Sequence, residues 1–196
     1  MKFLNHESLT VKEVISIYGI PEISLVQMIK DSLPTHYAGT KKYFIKTEIE
    51  NWFNESNRKI NDLKKGAVIN NNDLAQTFKC SQQGGMRRSH KTNSLVLILK
   101  HKNGFYKDTW QDDILHYTGM GQTGDQNLEG NQNITLFNSD SNGVKVYLFE
   151  SYVPNQYTFK GRVKLNGIPY QIDEVDTKAN NRKVWKFPLS IKIKQD

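Results

Sequence analysis

The spacing of apolar positions changes about a third of the way along the chain. From Leu9 to about Asn61 it is helical, and from Leu74 onward apolar residues come in short blocks or alternate with polar ones. Val11, Val14, Ile15 and Tyr18 share one face of a predicted first helix. Thr10 and Glu13 form a capping box at its start, and Gly19 stops it. After a turn containing Pro21, a second short helix is predicted on Ile23, Val26, Met28 and Ile29, ending near Asp31. The stretch HYAGTKKYFI predicts a hairpin turning at Gly39-Thr40, with Tyr37, Tyr43 and Ile45 as inward candidates. A second capping box, Thr47 to Glu50, opens a helix through Trp52 and Phe53.

The polar stretch NRKINDLKKGAVINNN reads as a linker. Beyond it, SLVLIL (Ser94 to Leu99) has the length and composition of a buried strand. Val144 to Phe149, Tyr157 to Leu165 and Arg182 to Pro188 are further β-branched and aromatic runs between Asn, Gly and Asp turns. The closing SIKIKQD alternates apolar residues with lysine, as a protected edge strand does. The expected class is therefore α+β: a small helical unit over 1–60, a linker over 61–73, and a mostly β domain over 74–196 forming a curved sheet or barrel.

Composition adds a partner class. The 196 residues carry a formal net charge of +7, which favours a polyanionic partner. The surplus is local: from Leu74 to Lys107 there is no acidic residue, while Lys79, Arg87, Arg88, Lys91, Lys100, Lys102 and Lys107 are all basic. Between Met1 and Gly66, ten Lys or Arg face eight Asp or Glu, so the helical unit is nearly neutral. A single cysteine, Cys80, excludes an intramolecular disulfide and a Cys-rich zinc site. No segment approaches the ~20 apolar residues of a membrane span. A cytoplasmic, nucleoid-associated protein is expected, with no membrane partner.

Two stretches carry candidate chemistry. In GGMRRSHKTNS, two glycines permit close backbone approach to Arg87, Arg88, Ser89 and Lys91, the donors of a phosphate-gripping loop. In NGFYKDTWQDDILHYTGMG, Phe105, Tyr106, Trp110 and Tyr117 lie near Asp108, Asp112, Asp113, His116 and Thr118. Paired rings can sandwich a planar heterocycle while a carboxylate accepts from its edge; equally, such rings can be core and such acids solvated. The five histidines are scattered singly, no Gly-Lys-Ser phosphate loop occurs, and the acidic run Asp173 to Asp176 lacks a partner carboxylate. No catalytic residue, metal ligand or cofactor site is expected, and any cleavage is assigned to a partner.

Two family resemblances sharpen this reading. The run LTVKEVISIYGI through LVQMIKDSLPTHYAGTKKYFIKTEIENWF closely resembles the excisionase branch of the MerR-like winged helix-turn-helix domains. The resemblance implies DNA contacts from the second helix at Ser24, Gln27 and Lys30 and from the wing at Lys41 and Lys42. The series MRRS, SLVLIL, NGFYKD, HYTGMGQTGDQ, Asn133, GVKVYLFES and YTFKGRVKL resembles the SRA (SET- and RING-associated, PUA-like) domain, in the form found in McrA-type HNH restriction enzymes. That resemblance implies a reader of modified cytosine, 5-methylcytosine or a bulkier 5-substituted form, flipped out of double-stranded DNA. Phe105 or Tyr106 and Tyr117 would stack on the base, Asp108 would bond its edge, and Thr118 and Gly119 would wall its C5 substituent. Gln82 and Gln83 would enter the gap in the duplex. The loop from Gly121 to Asn133 is short and acidic where eukaryotic members carry a long basic finger, which puts any reading of the opposite strand in doubt. The expected role is targeting or sensing for modification-dependent restriction, with a separate nuclease as partner, or for regulation. The alternative is an excisionase-like regulator whose C-terminal domain binds a small nucleotide or mediates assembly.

Overall fold

The computed structural model describes residues 7–102, 105–176 and 178–192, without the side chains of Ser56 and Asn131. In chain order the elements are β1 (Ser8–Thr10), α1 (Val11–Tyr18), α2 (Glu22–Lys30), β2 (His36–Ala38), β3 (Lys41–Ile45) and α3 (Lys46–Asn61). There follow β4 (Val68–Ile69), α4 (Asn71–Phe78), β5 (Met86–Ser89), β6 (Ser94–Lys100), β7 (Thr109–Gln111) and β8 (Ile114–Thr118). The chain closes with α5 (Asn131–Phe137), β9 (Lys145–Ser151), β10 (Tyr157–Leu165), β11 (Tyr170–Val175) and β12 (Asn181–Ile191). The fold is mixed α and β, with one small and one large sheet.

The first elements form a three-stranded sheet, ordered β1-β3-β2, with helices packed on it. The Thr10 and Glu13 capping box is present: the Glu13 amide donates to Thr10 Oγ1 at 3.3 Å and the Thr10 amide to Glu13 Oε2 at 2.7 Å. The box expected at Thr47 does not form, because α3 starts two residues earlier, after Ile45, with no side-chain cap. Leu9 belongs to a strand, not to a helix, and pairs with Phe44. Two inward faces also differ from expectation. On α2 the buried residues are Ser24, Leu25 and Met28, while Ile23 is 79% exposed. In the hairpin Phe44 is buried and Tyr37 faces out. In each case tertiary packing rotates a short element whose pattern is satisfied nearly as well by a neighbouring face.

Residues 61–73 are not a free linker. The Gly66 amide donates to Phe159 O at 2.8 Å, β4 pairs with β10, and Ile69 packs on the same core as Leu74, Phe78, Tyr147 and Phe159. Ile60, the penultimate residue of α3, is buried in that core, so one helix joins both units. Two further contacts fasten them. Ser24 Oγ lies 2.7 Å from His90 Nδ1, in the turn between β5 and β6. Gly19 (φ +58°) approaches so closely that a Cβ there would sit 2.2 Å from Asn142 O. Glycine at that position thus ends α1 and lets the two units touch.

The large sheet has the order β5-β6-β9-β10-β12-β8-β7, with β11 added to β12 and β4 to β10. β6 and β9 are parallel and apolar on both faces, as strands covered on both sides should be. The last strand is not an edge: Leu189 and Ser190 of β12 pair with both β8 and β10. Residues 193–196 of the expected SIKIKQD strand lie outside the described residues. The sheet curls strongly. Tyr117 on β8 donates its hydroxyl to Gly85 O at 2.9 Å, next to β5 at the other end of the strand order. That closure brings three distant segments around one space.

Candidate nucleic-acid interface

The space is a cavity of about 590 Å³. Its walls come from the segment before β5 (Gln82 to Arg87), the loop before β7 (Phe105, Tyr106, Asp108) and the end of β8 with the loop after it (Tyr117 to Gln122). Phe105, Tyr106, Asp108, Tyr117, Thr118, Gly119, Gln82 and Gln83 therefore all line one cavity. Polar side chains converge there with aromatic rings and the apolar side chains of Met86, Ile98 and Met120, a combination found in small-ligand pockets.

Each wall is held by packing. Tyr117 alternates with Leu115 on the inward face of β8 and is 2% exposed; its hydroxyl is also 3.3 Å from Ile98 O. Burial, with Asp108 nearby, holds that hydroxyl well above the usual phenol range, so it stays a donor. Phe105 stands at the opposite extreme, 62% exposed. Tyr106 is half-buried, and its hydroxyl accepts from the Gly121 amide at 3.3 Å. An exposed ring beside a tethered one leaves Phe105 the freer to close on a guest.

Asp108 accepts from the Thr118 amide at 2.7 Å. Burial pushes its carboxyl up, and the Thr118 amide and the Lys186 ammonium partly offset the shift. Behind Thr118 lies a group of buried charges. Lys186 Nζ donates to Thr118 Oγ1 at 2.7 Å and to Lys107 O at 2.8 Å, and lies 2.9 Å from Glu174 Oε1. The last contact is a charge pair without hydrogen-bond geometry. Arg182 completes the set, 4.0 Å from Glu174 and donating to Gly121 O at 2.6 Å. These three side chains couple the pocket wall to β11 and β12; Glu174 belongs to the acidic run Asp173 to Asp176, and spacing alone did not single out Lys186 or Arg182. The only signal was Arg182, Val184 and Lys186 sharing one face of a strand, where cations are out of place unless paired.

Two buried amides shape the loop after Thr118. Gln126 Nε2 donates to Gly119 O at 2.6 Å, and its Oε1 accepts from the Trp185 amide at 2.9 Å. Asn133 accepts from the Met120 amide at 2.7 Å and donates to Met120 O at 3.1 Å. A Cβ on Gly119 would sit 2.9 Å from an oxygen of each amide, so only glycine fits without displacement.

The MRRS segment departs from the phosphate-gripping expectation. Arg87 is 3% exposed; it donates to Gly84 O and Asn71 Oδ1 and stands 5.5 Å over the Tyr157 ring. Arg88 is spent on Ser89 O, Ser94 O and Asn93 Oδ1, and burial pulls its guanidinium down to about 10. Ser89 is buried. Lys91 is half-buried, as Arg88 is, whereas Lys100, Lys102 and Lys107 are exposed, Lys100 lining the cavity. Ser24 is buried against His90 and is withdrawn from duplex contact, while Gln27, Lys30, Lys41 and Lys42 are exposed. Among the described residues, no group of three or more His, Cys, Asp or Glu side chains is placed to hold a metal ion. No described helix is long and apolar enough to cross a membrane.

A family model described as ScoMcrA-like, SRA domain, matches residues 65–192. Among solved structures, the chain is similar to the sulfur-binding and SRA domains of ScoMcrA complexed with phosphorothioated DNA. That match has 14% identity over 66% of this chain and 40% of that one, with a TM-score of 0.55. It is similar to the SUVH5 SRA domain in complex with hemi-methylated CG DNA, with 21% identity over 69% and 92% of the two chains and a TM-score of 0.51. It is also similar to the modification-dependent TagI restriction endonuclease, with 19% identity over 68% and 51% and a TM-score of 0.53. At these identities the likeness is one of fold. The chain spans 40% and 28% of the two ScoMcrA chains it matches. No curated protein matches it in sequence.

Proposed function

The chain belongs to the ScoMcrA-like SRA domain family, and from that premise we propose that it recognises a modified cytosine in double-stranded DNA by flipping the base into the cavity. The observation that carries the reading is the meeting of an exposed ring (Phe105), a buried ring (Tyr117) and a half-buried carboxylate (Asp108) around one space. A flipped pyrimidine stacks between Phe105 and Tyr117, and Asp108 accepts from its exocyclic amine. Thr118 and Gly119 face the C5 substituent, with Lys186 fixing the threonine hydroxyl. Gln82 and Gln83, exposed at the rim, enter the gap left in the duplex.

Extrusion of a base costs a few kcal/mol, which stacking and edge hydrogen bonds offset. Backbone contacts supply the sequence-independent affinity, here from Lys91, Lys100, Lys102 and Lys107. One buried methyl adds only about 0.8 kcal/mol, roughly a fourfold preference, so a larger or hydrogen-bonding substituent is read more sharply. Residues 7–61 act as a winged helix-turn-helix that contacts the same DNA through Gln27, Lys30, Lys41 and Lys42. The protein serves as a targeting or sensing module, and any cleavage belongs to a separate nuclease.

The test is a titration of matched duplexes carrying C, 5-methylcytosine or 5-hydroxymethylcytosine, with 2-aminopurine fluorescence beside the target base. Preference for a modified duplex together with a fluorescence rise is expected. Equal affinity for all three at physiological salt refutes the reading.

A further inference from the structure

The pocket lies at one end of the large sheet, and a second cleft lies at the other. β6 runs from Ser94 to Ile98 and Lys100, which line the pocket, and β9 runs parallel to it from Lys145. Four to six steps of a strand at ~3.3 Å put the starts of these strands ~13–20 Å from the β6 residues that line that pocket. There a cleft of about 240 Å³ is lined by Ser139, Asp140, Lys145, Arg162 and Lys192 among others. It adjoins the junction of the two units, since a Cβ on Gly143, another lining residue, would meet Tyr18 O at 2.8 Å.

The cleft carries uncompensated positive charge. None of the ion pairs among the described residues includes Lys145, Arg162 or Lys192, and Asp140 is the one carboxylate in the described lining. Burial and the Arg162 charge both pull the Lys145 ammonium below its usual range, as expected where those two cations face each other across one cleft. Ser139 Oγ is buried beside them without a hydrogen-bond partner among the described residues. A buried hydroxyl left unpaired is costly, as is a cluster of like charges. One guest relieves both: an oxyanion with several acceptor oxygens, able to take charge-assisted hydrogen bonds from the ammoniums and the guanidinium and one from the hydroxyl.

We propose that the cleft formed by Ser139, Lys145, Arg162 and Lys192 binds a phosphoryl group, supplied by a DNA backbone or by a free phosphate ester. The site is separate from the flipped-base pocket and does not depend on what that pocket reads. Phosphate at this end would hold a nucleic acid against the junction with the helical unit, or let a small nucleotide stabilise that junction.

Inorganic phosphate is titrated into the full chain by calorimetry at constant ionic strength, for the wild type and for Arg162→Gln/Lys192→Gln, whose side chains are exposed. Loss of two charge-assisted contacts should weaken phosphate at least about tenfold. In phosphate-free buffer the variant should melt no lower than wild type, because like-charge repulsion is relieved. Should it melt lower, Lys192→Gln alone is the variant used, with about threefold weaker phosphate binding expected. An unmodified duplex distinguishes the sources. If backbone phosphates occupy the cleft, the double variant shows a salt dependence shallower by about two units. If only free esters do, the salt dependence is unchanged and phosphate binding is still lost. Equal phosphate binding by wild type and variant, or no binding by wild type together with an unchanged salt dependence, overturns the proposal.

Discussion

Replacing Lys186 with methionine tests whether the buried charges behind Thr118 support the pocket. Lys186 and Glu174 are each 4% exposed in their side chains, with the ammonium 2.9 Å from the carboxylate. Lys186→Met leaves that carboxylate buried, with Arg182 4.0 Å away as its one remaining ion-pair partner among the described residues, and takes the donor from Thr118 Oγ1 and Lys107 O. Breaking a buried pair from one side costs about 3–5 kcal/mol, a large share of the ~5–15 kcal/mol that separates folded from unfolded states. Treating the three charges alike, the single changes Lys186→Met, Glu174→Met and Arg182→Leu sum to about 9–15 kcal/mol. The triple change removes every charge together and forfeits mainly three donated hydrogen bonds, at about 1 kcal/mol each. Its cost should therefore be no more than ~3 kcal/mol, far below the sum. Urea denaturation of the four variants measures this directly, and titration of modified duplex should show Lys186→Met losing discrimination as Thr118 is released. A cost below ~1 kcal/mol for Lys186→Met, or a triple variant equal to the sum of the singles, refutes the reasoning.

Four further outcomes are expected. Phe105→Ala, at an exposed position, should change stability by less than ~0.5 kcal/mol yet weaken binding of modified duplex about tenfold, checked by denaturation and fluorescence anisotropy. Asp108→Asn should weaken modified-duplex binding by ~1.5–3 kcal/mol. Because burial raises the Asp108 carboxyl in the fold, its protonated form stabilises below the ordinary aspartate range and that contribution fades as pH rises. Asp108→Asn should thus gain stability over wild type at pH 7 and not at pH 3, measured by melting at both. Gly119→Ala, which places a Cβ 2.9 Å from two amide oxygens, should cost ~1–3 kcal/mol in denaturation experiments. Lys41→Gln/Lys42→Gln should lower the slope of log affinity against log salt by about two, if the hairpin tracks a duplex backbone.

Much of the local structure was legible in the residues. The Thr10 and Glu13 box, the Gly19 stop and the runs at Ser94 to Leu99 and Tyr157 to Leu165 are signals within one element, and each is found where its pattern puts it. Short elements were not so legible. Nine residues of α2 carry apolar side chains on more than one side, and contact with His90 turns Ser24 inward and Ile23 outward. Arg87 and Arg88 show the same limit for charge: their types suit phosphate, but Gly84 and Asn71 take the bonds of the first and the hairpin between β5 and β6 those of the second.

For the candidate site, the sequence by itself determined which residues bear chemistry, since Phe105, Asp108 and Tyr117 stand in one glycine-bounded stretch. It also determined local geometry wherever one hydrogen bond or one missing Cβ decides it. Only the tertiary structure decided which of those groups share a space. The curl of the sheet brings Gly85 against Tyr117, and β12 carries Lys186 and Arg182 behind Thr118. It also set Lys145, Arg162 and Lys192 around the cleft beside Ser139, without an ion-pair partner among the described residues. The physical reason is that periodicity and capping act over a few residues. Burial, charge pairing and cavity shape depend on which strands become neighbours, and no spacing along the chain encodes that.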